Sequence, residues 1–250
     1  MHHLIHLFST QFGGGNGLFG GGTFGTVLTC LIMIGWLIVY GLTIYQGFKD
    51  KSYGIPALAI CLNFTYEVYF GWFYQAPPGF PEGSNLIVWG CRIWAIIDVV
   101  IVYQLFRWGA RWQPNLVIKK IWVPLIAMSL VMAYAFVWTF TDVYPFQKGN
   151  QGSMIGIAYD MGMAILFFFL ILERPRLGGI NYLAGIVRVC TDVVGFIAIP
   201  VVADWQWGPK TSFNSFSMTM SAIITVFNFL FLIALVRHRR ARMIKGPPER

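Results

Sequence analysis

The sequence predicts an all-α polytopic membrane protein, a seven-transmembrane-helix bundle with its N-terminus outside and its C-terminus in the cytoplasm. Three observations carry that prediction. Of 250 residues, 57% are hydrophobic and 11% charged, less than half the roughly 25% charge of a soluble domain. Apolar stretches recur at the ~20-residue length that crosses a hydrocarbon core ~30 Å thick. The basic residues fall mainly in alternate loops, as the positive-inside rule requires. A water-soluble globule and a disordered chain are excluded. The net charge of +8 follows from topology, so no nucleic acid partner is expected.

The chain begins with residues 1–25, read as a flexible Gly-rich N-terminal segment. Gln11 to Thr26 holds eight glycines and no charge, and without a basic n-region ahead of an apolar core it is not a signal peptide. His2, His3 and His6 read as a solvated tail rather than a metal site. Apolar runs and their Gly/Pro-rich or charged breaks give spans at 26–47, 54–74, 86–107, 117–141, 153–172, 180–203 and 216–236. The transmembrane domain is therefore 26–236, and 237–250 is a basic cytoplasmic tail. Fourteen of the 18 basic residues lie beside alternate loops or in that tail, from Lys49 and Lys51 to Arg242, Lys245 and Arg250. The opposite loops hold Lys148 and Lys210. The expected setting is a bacterial cell membrane or the endoplasmic reticulum.

Cys30, Cys61, Cys91 and Cys190 are widely spaced within apolar stretches. No metal-ligand or disulfide spacing is present, so they read as small packing residues and no metal is expected.

Six ionisable residues fall inside the spans: Glu67, Arg92, Asp98, Asp160, Arg188 and Asp192. Such groups cost several kcal/mol and mark interiors where they act or pair. At ~1.5 Å per residue, Glu67, Arg92 and Asp160 lie ~10 Å below the outer surface. Asp98 and Asp192 lie nearer ~17 Å, level with Asn63 and Asn228. Their convergence implies a cavity in the outer half of the membrane. Arg188 and Asp192 are spaced i, i+4 and can pair along one helix. Arg92 needs a partner from another helix, Glu67 or Asp160 at the same depth. Asn63, Tyr66, Glu67, Phe70 and Tyr74 form one helical stripe, and the last helix presents Ser217, Ser221 and Asn228. A carboxyl among aromatic rings suits acid chemistry on an apolar substrate, because it keeps its proton and ring faces stabilise a cation. Tyr66, Trp94 and Tyr159 are placed deep enough to form such walls, whereas Trp36, Trp122 and Trp205 read as interfacial belts.

Ser52-Tyr53-Gly54-Ile55-Pro56-Ala57, followed by Asn63-Phe64-Thr65-Tyr66-Glu67, resembles the small membrane-integrated terpene cyclases of fungal meroterpenoid and paxilline-type indole-diterpene pathways, with their bacterial relatives. The family pattern is Ser-Tyr-Gly-Met-Pro, then Asn-x-x-Trp-Glu, so Tyr66 replaces a tryptophan. The resemblance implies acid-initiated, class II-like cyclisation: an epoxide or terminal alkene of a prenylated acceptor is protonated, and a cation cascade closes the rings. It maps the essential glutamate onto Glu67. It also implies an aspartate in the last helix, where this chain has Asn228. Asp98, Asp160 or Asp192 then supplies the second carboxyl, and Asn63, Tyr66, Trp94, Tyr159 and Asn228 position the substrate.

Cyclisation of this kind is an isomerisation that needs no cofactor, and no dinucleotide-binding or P-loop motif occurs. The expected partners are a lipophilic prenylated substrate and the bilayer. A proton-coupled transporter is the alternative, since intramembrane carboxylates also mark ion paths. A retinal photoreceptor is excluded by the lack of a lysine in the seventh span.

Overall fold

The computed structural model describes residues 22–74, 83–143, 150–174, 179–207 and 212–245. Residues 1–21, which carry His2, His3, His6 and most of the glycine-rich segment, lie outside the described residues, as do Lys148 and Lys210. The described residues are helical, with no strand among them. In chain order they form α1 (Gly22–Asp50), α2 (Ala57–Val68), a π-helical turn (Tyr69–Phe73), α3 (Gly83–Trp108), a 3-10 turn (Gly109–Trp112), α4 (Leu116–Lys120), α5 (Trp122–Val143), α6 (Asn150–Glu173), α7 (Tyr182–Trp207) and α8 (Ser212–Lys245). Four stretches among the described residues are long and apolar enough to cross a membrane: Cys30–Asp50, Val88–Trp112, Trp122–Thr141 and Thr219–His238.

The expected count of seven helices is corrected to eight α-helices among the described residues. The expected span 117–141 divides at Ile121 into α4 and α5. Pro124 has no N–H to return to the carbonyl of Lys120 and its ring crowds that carbonyl, so the helix cannot run straight through. Asn115 caps α4, its side chain accepting from the Val117 and Ile118 amides at 2.8 and 3.3 Å.

The helices close into a ring. α1 packs on α7, α7 on α8, α8 on α6, α6 on α2, α2 on α3, and α3 returns to α1, with α5 laid outside against α2. Outward faces are apolar, with Leu31 and Ile34 on α1 and Val131, Met132 and Phe136 on α5 exposed. Inside the ring, Tyr40, Ile60, Ile101, Phe167, Ile171 and Phe231 form the buried core.

One end of the ring is locked by the segment Ser52 to Pro56. Ser52 and Ile55 are fully buried and Tyr53 nearly so. The Arg174 guanidinium lies 4.0 Å from the Tyr53 ring centroid and donates to the Tyr53 carbonyl at 2.6 Å. Asp50 accepts from the Gly179 amide at 2.9 Å and from Gln46 at 2.8 Å. Trp112 donates to the Lys51 carbonyl at 3.0 Å and Gln113 to the Tyr53 hydroxyl at 2.9 Å. Gly179 has φ +79°, and a Cβ there would run into the Tyr53 carbonyl. Gly54 faces the Gly179 carbonyl with equally little room.

Gly179→Ala adds a side chain to a left-handed residue against a fixed carbonyl, and is expected to cost at least about 1 kcal/mol. Thermal unfolding in detergent checks it: the midpoint falls, and an unchanged midpoint contradicts the packing described.

Candidate active site

The ring holds a half-open cavity of about 270 Å³, lined by Trp36 and Tyr40 from α1, Asn63, Tyr66 and Glu67 from α2, Trp94 from α3, and Asp160 and Met163 from α6. The helical spacing of α2 puts Asn63 and Glu67 one turn apart on the inner face. Glu67 is 9% exposed, and its Oε2 is buried with no hydrogen-bond partner among the described residues. The neighbouring Cys91 thiol, on α3, hydrogen-bonds the Glu67 carboxyl. Just beyond Glu67 the helix widens into the π turn, closed by the Tyr74 amide on the Tyr69 carbonyl at 2.9 Å. Such turns occur often at functional sites.

Aromatic residues make up half of the lining. Tyr66 packs on Phe70 at 4.6 Å between ring centroids and meets Tyr159 edge-on at 5.6 Å. Trp36 meets Tyr40 edge-on at 6.1 Å. Tyr159 stands behind the lining, and Phe70 and Tyr74 continue the α2 stripe into a second apolar cluster with Cys91 and Val137.

Asp98 is fully buried behind Asn63. The Asn63 amide donates to Asp98 Oδ2 at 2.8 Å and to the Tyr40 hydroxyl at 2.9 Å, and Tyr40 in turn hydrogen-bonds Asp98. A deeper cluster joins α7 and α8. Arg188 pairs with Asp192 at 3.7 Å, and the Asn228 amide donates to Asp192 Oδ2. Arg188 is 1% exposed and lies over Phe167 at 3.9 Å, with Phe231 at 5.7 Å and Trp36 at 5.9 Å. Asp160 is within electrostatic reach of Arg188. Ser221 is buried; the side chains of Ser217 and Trp205 lie outside the described residues.

The sequence candidates thus divide into three groups. Asn63, Tyr66, Glu67, Trp94 and Asp160 line one cavity. Asp98 and Tyr159 stand directly behind it, while Asp192 and Asn228 bond to each other in the cluster around Arg188. Three expectations are corrected. Arg92 is partnered by neither Glu67 nor Asp160: it donates to the Gly71 carbonyl at 2.7 Å and lies 4.7 Å from the Trp89 ring. The π turn presents that carbonyl, which straight-helix reasoning does not foresee. Trp36 lines the cavity instead of forming a belt, and Trp122 is buried, donating to the Leu105 carbonyl at 2.9 Å. Cys91 contacts the candidate acid rather than serving packing alone. Tyr40 and Met163 also belong to the lining; the spacing of Trp36 and Tyr40, one turn apart on α1, is the signal that points to them. Among the described residues, no group of three or more His, Cys, Asp or Glu is arranged to hold a metal.

Comparison with known proteins adds a second line. The family of Pyr4-like transmembrane terpene cyclases matches residues 23–241. The terpene cyclase ptmB of Penicillium ochrochloron is 42% identical over 80% of this chain and 76% of its own. The terpene cyclase pyr4 of Aspergillus fumigatus is 22% identical over 84% of this chain and 86% of its own. The Pyr4-family terpene cyclase mfmH of Annulohypoxylon moriforme is 35% identical, and there the alignment spans 44% of each chain, less than half the relative's length. No solved structure matches the chain significantly.

The bridge through Asn63 is expected to couple Tyr40 and Asp98 to α2. A double-mutant cycle of Asn63→Ala and Tyr40→Phe, read from unfolding in detergent, should give a coupling of about 0.5–1.5 kcal/mol. Strict additivity would show that the bridge does not form.

Proposed function

The chain belongs to the Pyr4-like transmembrane terpene cyclases, and from that premise we propose that it cyclises a prenylated aromatic or related lipophilic acceptor, with Glu67 protonating its epoxide or terminal alkene. The observation that carries the proposal is the Glu67 carboxyl itself, buried, with one oxygen unpartnered on the wall of a cavity half lined by aromatic residues.

Each part of the site has a task in that reaction. The apolar walls fold the prenyl chain so that reacting carbons approach each other, which converts ring closure from an improbable encounter into a positioned one. In its neutral form the carboxyl has a proton to give. The Cys91 thiol beside the carboxyl helps to hold it in place. As the proton transfers, positive charge develops on carbon, and the π faces of Trp36, Tyr40, Tyr66 and Trp94 stabilise it while excluding water. The tightly bonded Tyr40–Asn63–Asp98 set holds the α2 wall in place. Asp192 and Asn228 act from behind, on the cluster that carries Arg188.

In this reading seven of the eight α-helices cross the bilayer, with the N-terminus outside and residues 237–250 in the cytoplasm. α4 lies at the membrane edge, since Leu116, Val117 and the lysines that follow are exposed. The membrane is that of a bacterial cell or of the endoplasmic reticulum. The substrate reaches the cavity from the bilayer.

Glu67→Gln preserves size and polarity while removing the transferable proton. It is expected to lower turnover by at least about a hundredfold with normal accumulation in membranes. Membranes fed farnesylated and geranylgeranylated phenols, with and without a terminal epoxide, test this by chromatography with mass detection: the wild type gives a product of unchanged mass and shifted retention. Full activity in the variant sinks the assignment of the acid.

A further inference from the structure

We infer that Asp160, on the α6 wall of the same cavity, is the base that ends the reaction, with Arg188 as the residue that prepares it. The inference rests on the cyclase reading above and extends it to the last step. An isomerisation returns the proton it takes. When the epoxide oxygen or the alkene carbon has received a proton from Glu67 and the rings have closed, a carbocation remains. A C–H bond adjacent to that centre must break, its electron pair becoming a carbon–carbon double bond and its proton passing to a base. Transfer of that proton from the base back to Glu67 resets the site, and atoms and charge balance without any co-reactant.

Geometry distinguishes the two carboxyls. Glu67 and Asp160 both line the cavity, and each has one buried oxygen without a hydrogen-bond partner among the described residues, Oε2 and Oδ1 respectively. Their surroundings differ in charge. Around Glu67 stand Tyr66, Cys91 and the acid Asp98. Asp160 stands within electrostatic reach of the Arg188 cation, which serves as counter-ion when Asp160 carries a charge. Two carboxyls on one cavity, one beside a thiol and another acid and the other beside a cation, are suited to different tasks in one reaction.

The other acids are engaged elsewhere. Asp192 is closed off by its ion pair with Arg188 and by the Asn228 amide, and is not part of the lining. Asp98 is held behind Asn63 by hydrogen bonds from Asn63 and Tyr40. Arg188 itself makes no hydrogen bond through Nε, Nη1 or Nη2 among the described residues and is enclosed by aromatic rings, so its charge is shared chiefly between Asp192 and Asp160. Asp160 alone combines access to the cavity with that charge.

The test compares products of wild-type protein, Glu67→Gln and Asp160→Asn in membranes, with the same prenylated panel. In a single turnover Asp160→Asn is expected to consume substrate within about tenfold of the wild-type rate, because protonation by Glu67 precedes the step that is lost. Repeated turnover slows, because the proton is no longer handed back to Glu67. Its products change: alkene isomers in new proportions, and adducts one water heavier where water captures the cation. Glu67→Gln consumes nothing. An Asp160→Asn protein giving the wild-type product alone overturns the inference, as does one that accumulates normally and is as inactive as Glu67→Gln. Asp160→Glu keeps the carboxyl but extends it by one methylene, so it is expected to retain proton loss while shifting the position of the double bond. If only this variant accumulates, an unchanged product overturns the inference. A wild-type protein that consumes no member of the panel overturns the cyclase reading itself, and this inference with it.

Discussion

A charged or hydrogen-bonding group inside a hydrocarbon phase loses the water that stabilised it, and each such group must be answered by another part of the same protein. The bundle is arranged around this constraint. Arg188, almost wholly buried, is met by Asp192 on its own helix and by the faces of Phe167 and Phe231. Asp192 is met in turn by Asn228 from α8, so the packing of α7 on α8 carries a polar bond at its centre. Asp98 is met by Asn63 and Tyr40, which tie α3 to α2 and α1. Arg92 is met by a backbone carbonyl that the π turn presents. Among the residues that line the cavity, Glu67 and Asp160 each keep a buried oxygen without a hydrogen-bond partner among the described residues.

The first half of the motif that carries the family resemblance lies at a distance from Glu67. Ser52, Tyr53 and Gly54 are pinned between Arg174 and Gly179, so the first turn of α2 starts from a fixed point. Pro56, with φ −54° and ψ 136°, turns the chain into that helix. Glu67 follows about 15 Å along the axis at the usual rise per residue. A helix anchored at its start and widened just after the carboxyl delivers that side chain to one place on the cavity wall. Position, rather than any unusual residue type, makes this glutamate distinctive.

Much of this architecture is legible in the sequence because membrane burial imposes a strict periodicity. The apolar runs give most of the long helices to within about five residues, although α8 runs to Lys245, nine residues past the end expected for the last span, and the inward stripe of α2 follows from the spacing of Asn63, Tyr66 and Glu67. What is not legible depends on contacts between helices. The pairing of Asn228 with Asp192 and the stacking of rings on Arg188 join segments far apart in the chain. The π turn shifts the Gly71 carbonyl to Arg92, and nothing in a straight-helix count announces it. Trp36 reads as an interfacial residue because a tryptophan near a membrane helix usually is one, yet its ring faces inward. The division of α4 from α5 could have been seen: Pro124 sits where its missing N–H and its ring interrupt the turn before it.

The most direct measurement of the central claim is the binding of a cation mimic to the cavity. A prenyl amine whose ammonium replaces the first carbocation, and its neutral carbon isostere, would be titrated calorimetrically into the purified protein in lipid nanodiscs. Aromatic faces and a carboxyl arranged for a cationic transition state should favour the amine by at least about a hundredfold, with the preference reduced in Trp94→Leu. Equal affinity for the two ligands would contradict the account, because it would mean that the cavity is shaped for an apolar chain without being built to stabilise charge on it.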